Sequence, residues 1–315
     1  MRGGNVFESP EQLDPAVRAA YLTRLGVDPE PPSADALHVL VQRHAERVPY
    51  ETLWIPAGER WSTEPVQAAE RIALRGRGGY CYHLNGALGL LLSSLGYTVH
   101  GHVGGVRAGD PEADPEADPE AGSGAGLDPT ARGNHLVLTV TGLPTDTNPS
   151  GHWYVDQGLG DALYQPLPLM PGAYYQAPFH LTLEQADAGD GEPAWTLTHD
   201  PSGGFRSMTW TTGDAVLSDF SAQHEWLSTS PDSGFVRVPM AERRDVNGAD
   251  VIRGLVLSRV GAGAFTRDPI TRRSEWFDVL ADVFDLRFDA APPGYRERLW
   301  EAVNEAHQAW TDAQN

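Results

Sequence analysis

The apolar residues of this chain change their spacing near Gly96, and that change constrains the fold more than any other feature. Before Gly96 they recur at helical intervals, and after it they alternate in short segments bounded by Gly, Pro and Asp. Helices followed by strands are typical of an α+β protein. The predicted helical stripes are Val17, Tyr21, Leu22 and Leu25; Leu37, Leu40, Val41 and Val48; and Leu84, Leu88, Leu91, Leu92 and Leu95.

The ends of these helices are also marked in the sequence. Pro15 suits the first turn of the first helix, and either Ser33 or Asp35 can cap the second. Gly96 is placed to stop the third helix. We therefore expect residues 1–96 to form a helical domain.

Beyond Gly96 the pattern predicts a β domain over 97–212, as a barrel or a sandwich, and a mixed α/β segment over 213–315. The predicted strands cover 97–103, 135–140, 152–156, 179–183, 195–198, 205–210 and 254–258, and the predicted late helices cover 275–284 and the segment after Pro293.

The formal net charge of −20 at pH 7 disfavours nucleic acid and anionic membrane surfaces as partners. Part of this acidity is concentrated within residues 109–130, where a Pro-Glu-Ala-Asp unit repeats. Such a composition does not build a core, so we expect a disordered surface insertion there. A functional acidic tether is the alternative.

The chain has a single cysteine, so it forms no internal disulfide, which fits a reducing compartment. The N-terminal residues lack the long apolar stretch of a signal peptide, and no run is long enough to span a membrane. We expect a cytoplasmic protein.

The single cysteine, Cys81, follows Gly78 and Gly79 and immediately precedes the leucine-rich helical pattern. It should therefore lie at the start of a helix, where unpaired N–H groups and the helix dipole favour a thiolate. The alternative is a buried structural thiol.

A cysteine nucleophile needs a base and a group that orients the base. Among eleven histidines, His135 is the best candidate because it opens a predicted strand. Asp156 ends another strand beside a glycine-rich turn, where a carboxylate can reach a neighbouring imidazole. Taken separately, each residue is better explained as an ordinary strand or turn residue.

Together, these local contexts resemble the arylamine N-acetyltransferase family, whose motifs occur here in the same order. The resemblance extends from about Tyr21 to the late helices. The matching segments are 48–53 (Val-Pro-Tyr-Glu-Thr-Leu), 77–81 (Arg-Gly-Gly-Tyr-Cys), 134–136 (Asn-His-Leu), 155–160 (Val-Asp-Gln-Gly-Leu-Gly) and 228–235 (Ser-Thr-Ser-Pro-Asp-Ser-Gly-Phe).

The resemblance implies a helical bundle, a central β-barrel and a C-terminal α/β lid around a Cys-His-Asp core like that of cysteine proteases. It implies a ping-pong acyltransferase in which acetyl-CoA acylates Cys81 and a small aromatic amine or hydrazine then takes the acetyl group. His135 would be the proton partner and Asp156 its orienting group. Acetyl-CoA would be a co-substrate, with no permanently bound cofactor and no metal. The second oxyanion donor stays open between an amide near Gly79 and one near the His135 strand.

Several residues are candidates for support and binding. Asn85 lies four residues after Cys81, on the same helix face, where it can bond the Asp156 region. Arg77 and Glu51 can brace the loop that carries the thiol, the alternative being a weak surface ion pair. By resemblance, the coenzyme contacts are assigned to Arg132, Gly133 and Asn134, and the substrate pocket to Val103, Leu159 and Gly160.

The chain departs from the family motif at His83, where a glutamate is usual, and at Leu159, where phenylalanine is common. At two residues from Cys81 on a helix, His83 should point away from the thiol. Two other functions stay open: an amide synthase of the same fold with another acyl donor, and a binding protein that has lost catalysis. The sequence leaves the oligomeric state undetermined.

Overall fold

The computed structural model describes Phe7 and residues 13–108, 132–188, 191–261, 264–289 and 291–313. The acidic insertion predicted at 109–130 therefore lies outside the described residues. Within the described part of the chain, no helix is both long and apolar enough to cross a membrane.

The N-terminal part is helical, as predicted. Pro15 opens the first helix. Ser33 rather than Asp35 caps the second, because its Oγ accepts the Ala36 N–H at 3.1 Å. The sequence patterns did not predict the third helix, α3. The helices are α1 (Pro15–Leu25), α2 (Ala34–Arg47), α3 (Pro65–Arg75) and α4 (Cys81–Ser94).

The central part is an eight-stranded antiparallel sheet in the order β5-β4-β3-β2-β9-β8-β7-β6. Its edge strands, β5 and β6, are joined by residues 169–171 alone, which requires the sheet to curl towards a barrel. All the strands predicted before residue 212 are present, whereas β5 and β6 were not predicted. The strands are β2 (Thr98–Ala108), β3 (His135–Thr141), β4 (Trp153–Val155), β5 (Leu167–Pro168), β6 (Gly172–Gln176), β7 (Phe179–Asp187), β8 (Pro193–Thr198) and β9 (Phe205–Asp214).

The register of β3 and β4 places two candidate residues together. Leu138 on β3 pairs with Val155 on β4 in an antiparallel ladder. His135 begins β3 and Asp156 directly follows β4, so both lie at the same end of the sheet.

Four strands of the last third and the N-terminal strand β1 form a second sheet in the order β1-β10-β11-β12-β13. The strand predicted at 254–258 begins at Val256 rather than at Gly254. Gly254 has a φ of +55° and lies in the turn between β11 and β12. Both late helices are confirmed. The elements are β1 (Tyr50–Glu51), β10 (Met240–Asp245), β11 (Gly248–Arg253), β12 (Val256–Gly261), β13 (Ala264–Pro269), α5 (Ser221–Thr229), α6 (Gly234–Arg237), α7 (Arg273–Phe284) and α8 (Tyr295–Ala313), with a 3-10 turn at Leu217–Phe220.

Helix α4 lies in the interior of the protein. Its residues are buried from Cys81 to Leu92, more completely than a one-sided leucine stripe predicts. A helix that is apolar on all sides belongs inside a protein, and α4 contacts α3, β2 and β3. Gly96, with a φ of +96°, follows the helix end, as expected of its stop signal. The fold thus sets the N-terminus of α4 against the end of the barrel that carries His135.

Candidate active site

Two glycines shape the loop that delivers Cys81 to the first turn of α4. A Cβ on Gly78 would overlap the carbonyl oxygen of Pro49. Gly79 has a φ of +146°, and a Cβ there would lie 2.6 Å from the Cβ of His83. Only glycine fits both constraints, so the loop is fixed in a close-packed path that ends at Cys81.

Arg77 and Glu51 form a buried ion pair beside this loop. The Arg77 Nε donates to Glu51 Oε1 at 2.7 Å and its Nη2 to Oε2 at 3.0 Å. Their side chains are 10% and 0% exposed, so the alternative of a weak surface pair is wrong. Burial opposes the charge on Arg77, but Glu51, and to a smaller extent Glu59 at 3.2 Å, raise the pKa of Arg77 overall. The loop before Cys81 is therefore held by a bidentate, charge-assisted contact.

The candidate base and its orienting acid are in direct contact. His135 Nε2 and Asp156 Oδ2 lie 2.7 Å apart, and both residues are buried. Asp156 also accepts the Tyr154 hydroxyl at 3.0 Å and the Gly158 N–H at 2.9 Å. These bonds fix the carboxylate and, through it, the plane of the imidazole.

The ring of His135 also reaches Cys81. Because Asp156 occupies Nε2, the Nδ1 edge is the one available to the thiol. Burial alone would lower the pKa of His135, but Asp156, with a smaller contribution from Cys81, raises it to about 10. The imidazole is therefore held in its protonated form at neutral pH. The sulfur is 3.4 Å from the backbone oxygen of Asn134.

Asn85 joins the cysteine helix to the acid, as helix spacing predicted. Its Nδ2 donates to Asp156 Oδ1 at 2.7 Å and to the Leu136 carbonyl at 2.6 Å. Its Oδ1 accepts the Gln157 N–H at 2.8 Å. A single buried amide thus connects α4, β3 and the glycine turn.

The glycine turn packs directly on the nucleophile's backbone. A Cβ on Gly158 would lie 2.6 Å from Cys81 Cα. Leu159 is buried in the core of the barrel. Gly160 has a φ of +68° and lies against the buried Glu242, whose pKa burial raises to about 7.

The residues expected to contact the coenzyme lie at the rim beside His135. Arg132 is exposed and pairs with Glu192 at 3.4 Å. The Gly133 carbonyl accepts the Tyr82 hydroxyl at 2.6 Å. Asn134 uses its side chain to bond the backbone of Val106 in both directions.

Val103 and His83 are the remaining residues that the sequence singled out. Val103 is half-buried on β2, opposite Leu136. The His83 ring packs against Trp54 and Trp61, and its Nδ1 accepts the Tyr80 N–H at 3.3 Å.

Sequence reasoning missed three parts of this network: the Tyr154 hydroxyl, the Gln157 amide and the close approach of Gly158. Tyr154 could have been found, because residues two apart on a strand share a face and it precedes Asp156 by two. The other two depend on the approach of α4 to the turn, which no local pattern encodes.

Comparisons with known proteins identify the family of the chain. A family model described as N-acetyltransferase matches residues 33–292. The arylamine N-acetyltransferase of Mycolicibacterium smegmatis is 32% identical over 284 residues, covering 84% of this chain and 87% of that protein. The structure of the Nocardia farcinica enzyme matches with a TM-score of 0.74 at 26% identity, covering 93% of this chain and 97% of that chain. That of the Mycobacterium marinum enzyme in complex with CoA matches with a TM-score of 0.75 at 26% identity, covering 91% and 98%. The chain belongs to the arylamine N-acetyltransferase family, a family of acyltransferases.

Proposed function

We propose that this enzyme carries an acetyl group from acetyl-CoA to an arylamine or arylhydrazine through a thioester on Cys81. The observation that carries the proposal is the buried contact between His135 and Asp156 beside the Cys81 thiol. A protonated imidazole next to a cysteine stabilises the thiolate, which is the reactive form of the side chain.

In the first half-reaction, the Cys81 sulfur attacks the carbonyl carbon of acetyl-CoA and forms a new S–C bond. The bond to the coenzyme sulfur breaks, and His135 donates its proton to that leaving thiolate. Asp156 keeps the imidazole oriented throughout. The product of this step is acetylated Cys81 and free CoA.

In the second half-reaction, the nitrogen of the acceptor attacks the Cys81 thioester. His135, now neutral, takes the proton that the nitrogen loses, and Cys81 departs as the thiolate. The thiolate–imidazolium pair is then restored. In both halves an oxyanion forms, and the backbone N–H of Cys81, in the first turn of α4, is one candidate donor to it.

We assign coenzyme binding to the rim formed by Arg132, Gly133 and Asn134. Gly133 bonds Tyr82, and Asn134 bonds Val106. These two residues therefore shape the rim. Arg132 supplies an exposed cation, which a strongly acidic protein needs locally to attract coenzyme phosphates. The M. marinum relative in complex with CoA supports this class of co-substrate.

We place the acceptor pocket at Val103, Leu159 and Gly160, since the last two directly follow Gly158, which packs on Cys81. We further propose that 1–96 supplies the nucleophile, 97–212 the base and acid, and 213–315 a cover over the site.

The decisive experiment is incubation with acetyl-CoA followed by intact-mass measurement. A single cysteine makes the outcome unambiguous among thiols. We expect one acetyl adduct per chain, its absence in Cys81→Ser, and its discharge by an arylamine. An adduct formed only with other acyl donors would favour the amide synthase, and no adduct with any acyl thioester would favour a binding protein.

A further inference from the structure

Helices α3 and α4 bring together several buried hydrogen-bond donors whose acceptors are missing among the described residues. Arg71 on α3 is 7% exposed, and its Nε and Nη2 have no partner. His83 on α4 is fully buried, and its Nε2 has none. The indole N–H of Trp54 is likewise unpaired. Each such group costs free energy unless something accepts its proton.

All these groups are donors, which the bonding of His83 establishes. Its Nδ1 accepts the Tyr80 N–H at 3.3 Å, so in the neutral ring the proton sits on Nε2. The ring is neutral because burial, and then the charge of Arg71, lower the pKa of His83 well below its usual range. The Ser62 backbone also faces this ring and favours its protonated form, but it does not reach Nε2 with full hydrogen-bond geometry.

Trp61 shows that the donors share one neighbourhood. The guanidinium carbon of Arg71 lies 4.5 Å from the Trp61 ring centroid. The His83 ring centre is 5.6 Å from that of Trp61, at 81°. Trp54 stacks on Trp61 with 5.0 Å between centroids. One face of the Arg71 guanidinium is thus covered by the Trp61 ring, and its Nε and Nη2 lack acceptors among the described residues.

The nearest carboxylates already serve other donors. Both oxygens of Glu51 bond Arg77. Glu59 accepts from Arg77 and Tyr295 through Oε1 and from Trp61 through Oε2. Burial lowers the pKa of Arg71 to about 10, so the guanidinium keeps its charge at neutral pH without a direct counterion.

We propose that a small monovalent anion, such as chloride, binds between Arg71 and His83. The single positive charge of Arg71 sets the charge of the ligand, and the unpaired N–H groups supply its contacts. The burial of both side chains restricts the ligand to a small ion. The family motif has glutamate at position 83, a residue that brings its own carboxylate; histidine brings another donor instead. The site is separate from the reacting atoms and does not depend on the proposed reaction.

The first test is the melting temperature of the intact enzyme in sodium chloride against sodium gluconate at equal ionic strength. A ligand that binds only the folded state raises Tm with saturation. We expect a rise of roughly 2 °C at saturating chloride relative to gluconate. In crystals soaked in bromide, an anomalous peak should lie between Arg71 and His83. Identical curves in the two salts, or a bromide peak elsewhere only, would overturn the proposal.

A pair of variants gives a second test. His83→Glu supplies a carboxylate to Arg71, so the chloride-dependent rise in Tm should disappear. His152→Glu makes the same substitution at an exposed histidine, and it should keep the rise. A chloride-dependent rise that persists in His83→Glu would contradict the site.

Discussion

Replacing Asp156 with asparagine should strongly lower the reactivity of Cys81 at neutral pH while keeping the shape of the site. The pKa of His135 is raised from 6.5 to about 10, against the effect of burial. At ~1.4 kcal/mol for each unit of pKa, the site favours the imidazolium by on the order of 5 kcal/mol. Asp156 is the largest contributor that raises this pKa, and asparagine carries no charge.

The charge of Asp156 determines the pH range in which His135 stays protonated. With Asp156 present, His135 stays protonated as the pH rises through neutrality up to about 10. Without the carboxylate, burial is the dominant influence, and the ring loses its proton below neutral pH. The thiolate then has no imidazolium partner. An unassisted cysteine thiol is ionised to only about 3% at pH 7, so alkylation should slow roughly 30-fold.

The assay is the rate of iodoacetamide alkylation from pH 5 to pH 10, followed by intact mass. At pH 7 wild type should react faster than Asp156→Asn, because only wild type keeps an imidazolium beside Cys81. Asp161→Asn is the matched control, because Asp161 is a buried carboxylate paired with His199 at 3.4 Å. A wild-type profile in Asp156→Asn would refute the reasoning.

Further substitutions test the packing and the charges around the site. Gly158→Ala would place a Cβ 2.6 Å from Cys81 Cα, so we expect acetyl-adduct formation to slow at least about tenfold; an unchanged rate by intact mass contradicts this. Arg77→Ala leaves the buried Glu51 unpaired and should lower the free energy of unfolding in urea by about 3–5 kcal/mol, whereas a loss below about 1 kcal/mol would show that Glu51 is compensated elsewhere. Burial, then Arg24, lowers the pKa of His44 to about 3, so the unfolded chain binds a proton between pH 6.5 and 3 that the folded chain does not. The free energy of unfolding therefore falls as the pH drops through this window. Between pH 7 and pH 4, His44→Gln should lose about 3 kcal/mol less of this free energy than wild type. Equal losses of the two proteins in urea titrations would exclude His44 as the cause.

The positions of the proposed catalytic residues were predictable because each occupies the end of an element. Cys81 begins α4, His135 begins β3 and Asp156 follows β4. Glycines and apolar periodicity mark such ends locally. Asn85 was predictable for a related reason, since helix spacing alone puts it on the face of Cys81.

The second sheet was mostly missed because its sequence contradicts local rules. Strand β10 reads Met-Ala-Glu-Arg-Arg-Asp, a polar run that no alternation pattern identifies as buried. Yet Arg244 within it is 1% exposed, and its guanidinium donates to the carbonyls of Gln176 and Ala177. A buried arginine is tolerated only when distant backbone groups satisfy it, and those partners lie 68 and 67 residues away.

Contacts between residues far apart in sequence also link the loop before Cys81 to the last third of the chain. Arg77, in the loop before Cys81, bonds the Tyr295 hydroxyl on α8 at 3.3 Å, across 218 residues of sequence. Tyr295 also donates to Glu59 at 2.6 Å. Strand β1, which contains Glu51, pairs with β10 of the last third. The ion pair that braces the nucleophile's loop is thus enclosed by the C-terminal segment, so α8 must dock before that pair is fully buried. A residue close to the end of the chain therefore helps to fix the geometry of a thiol near its beginning.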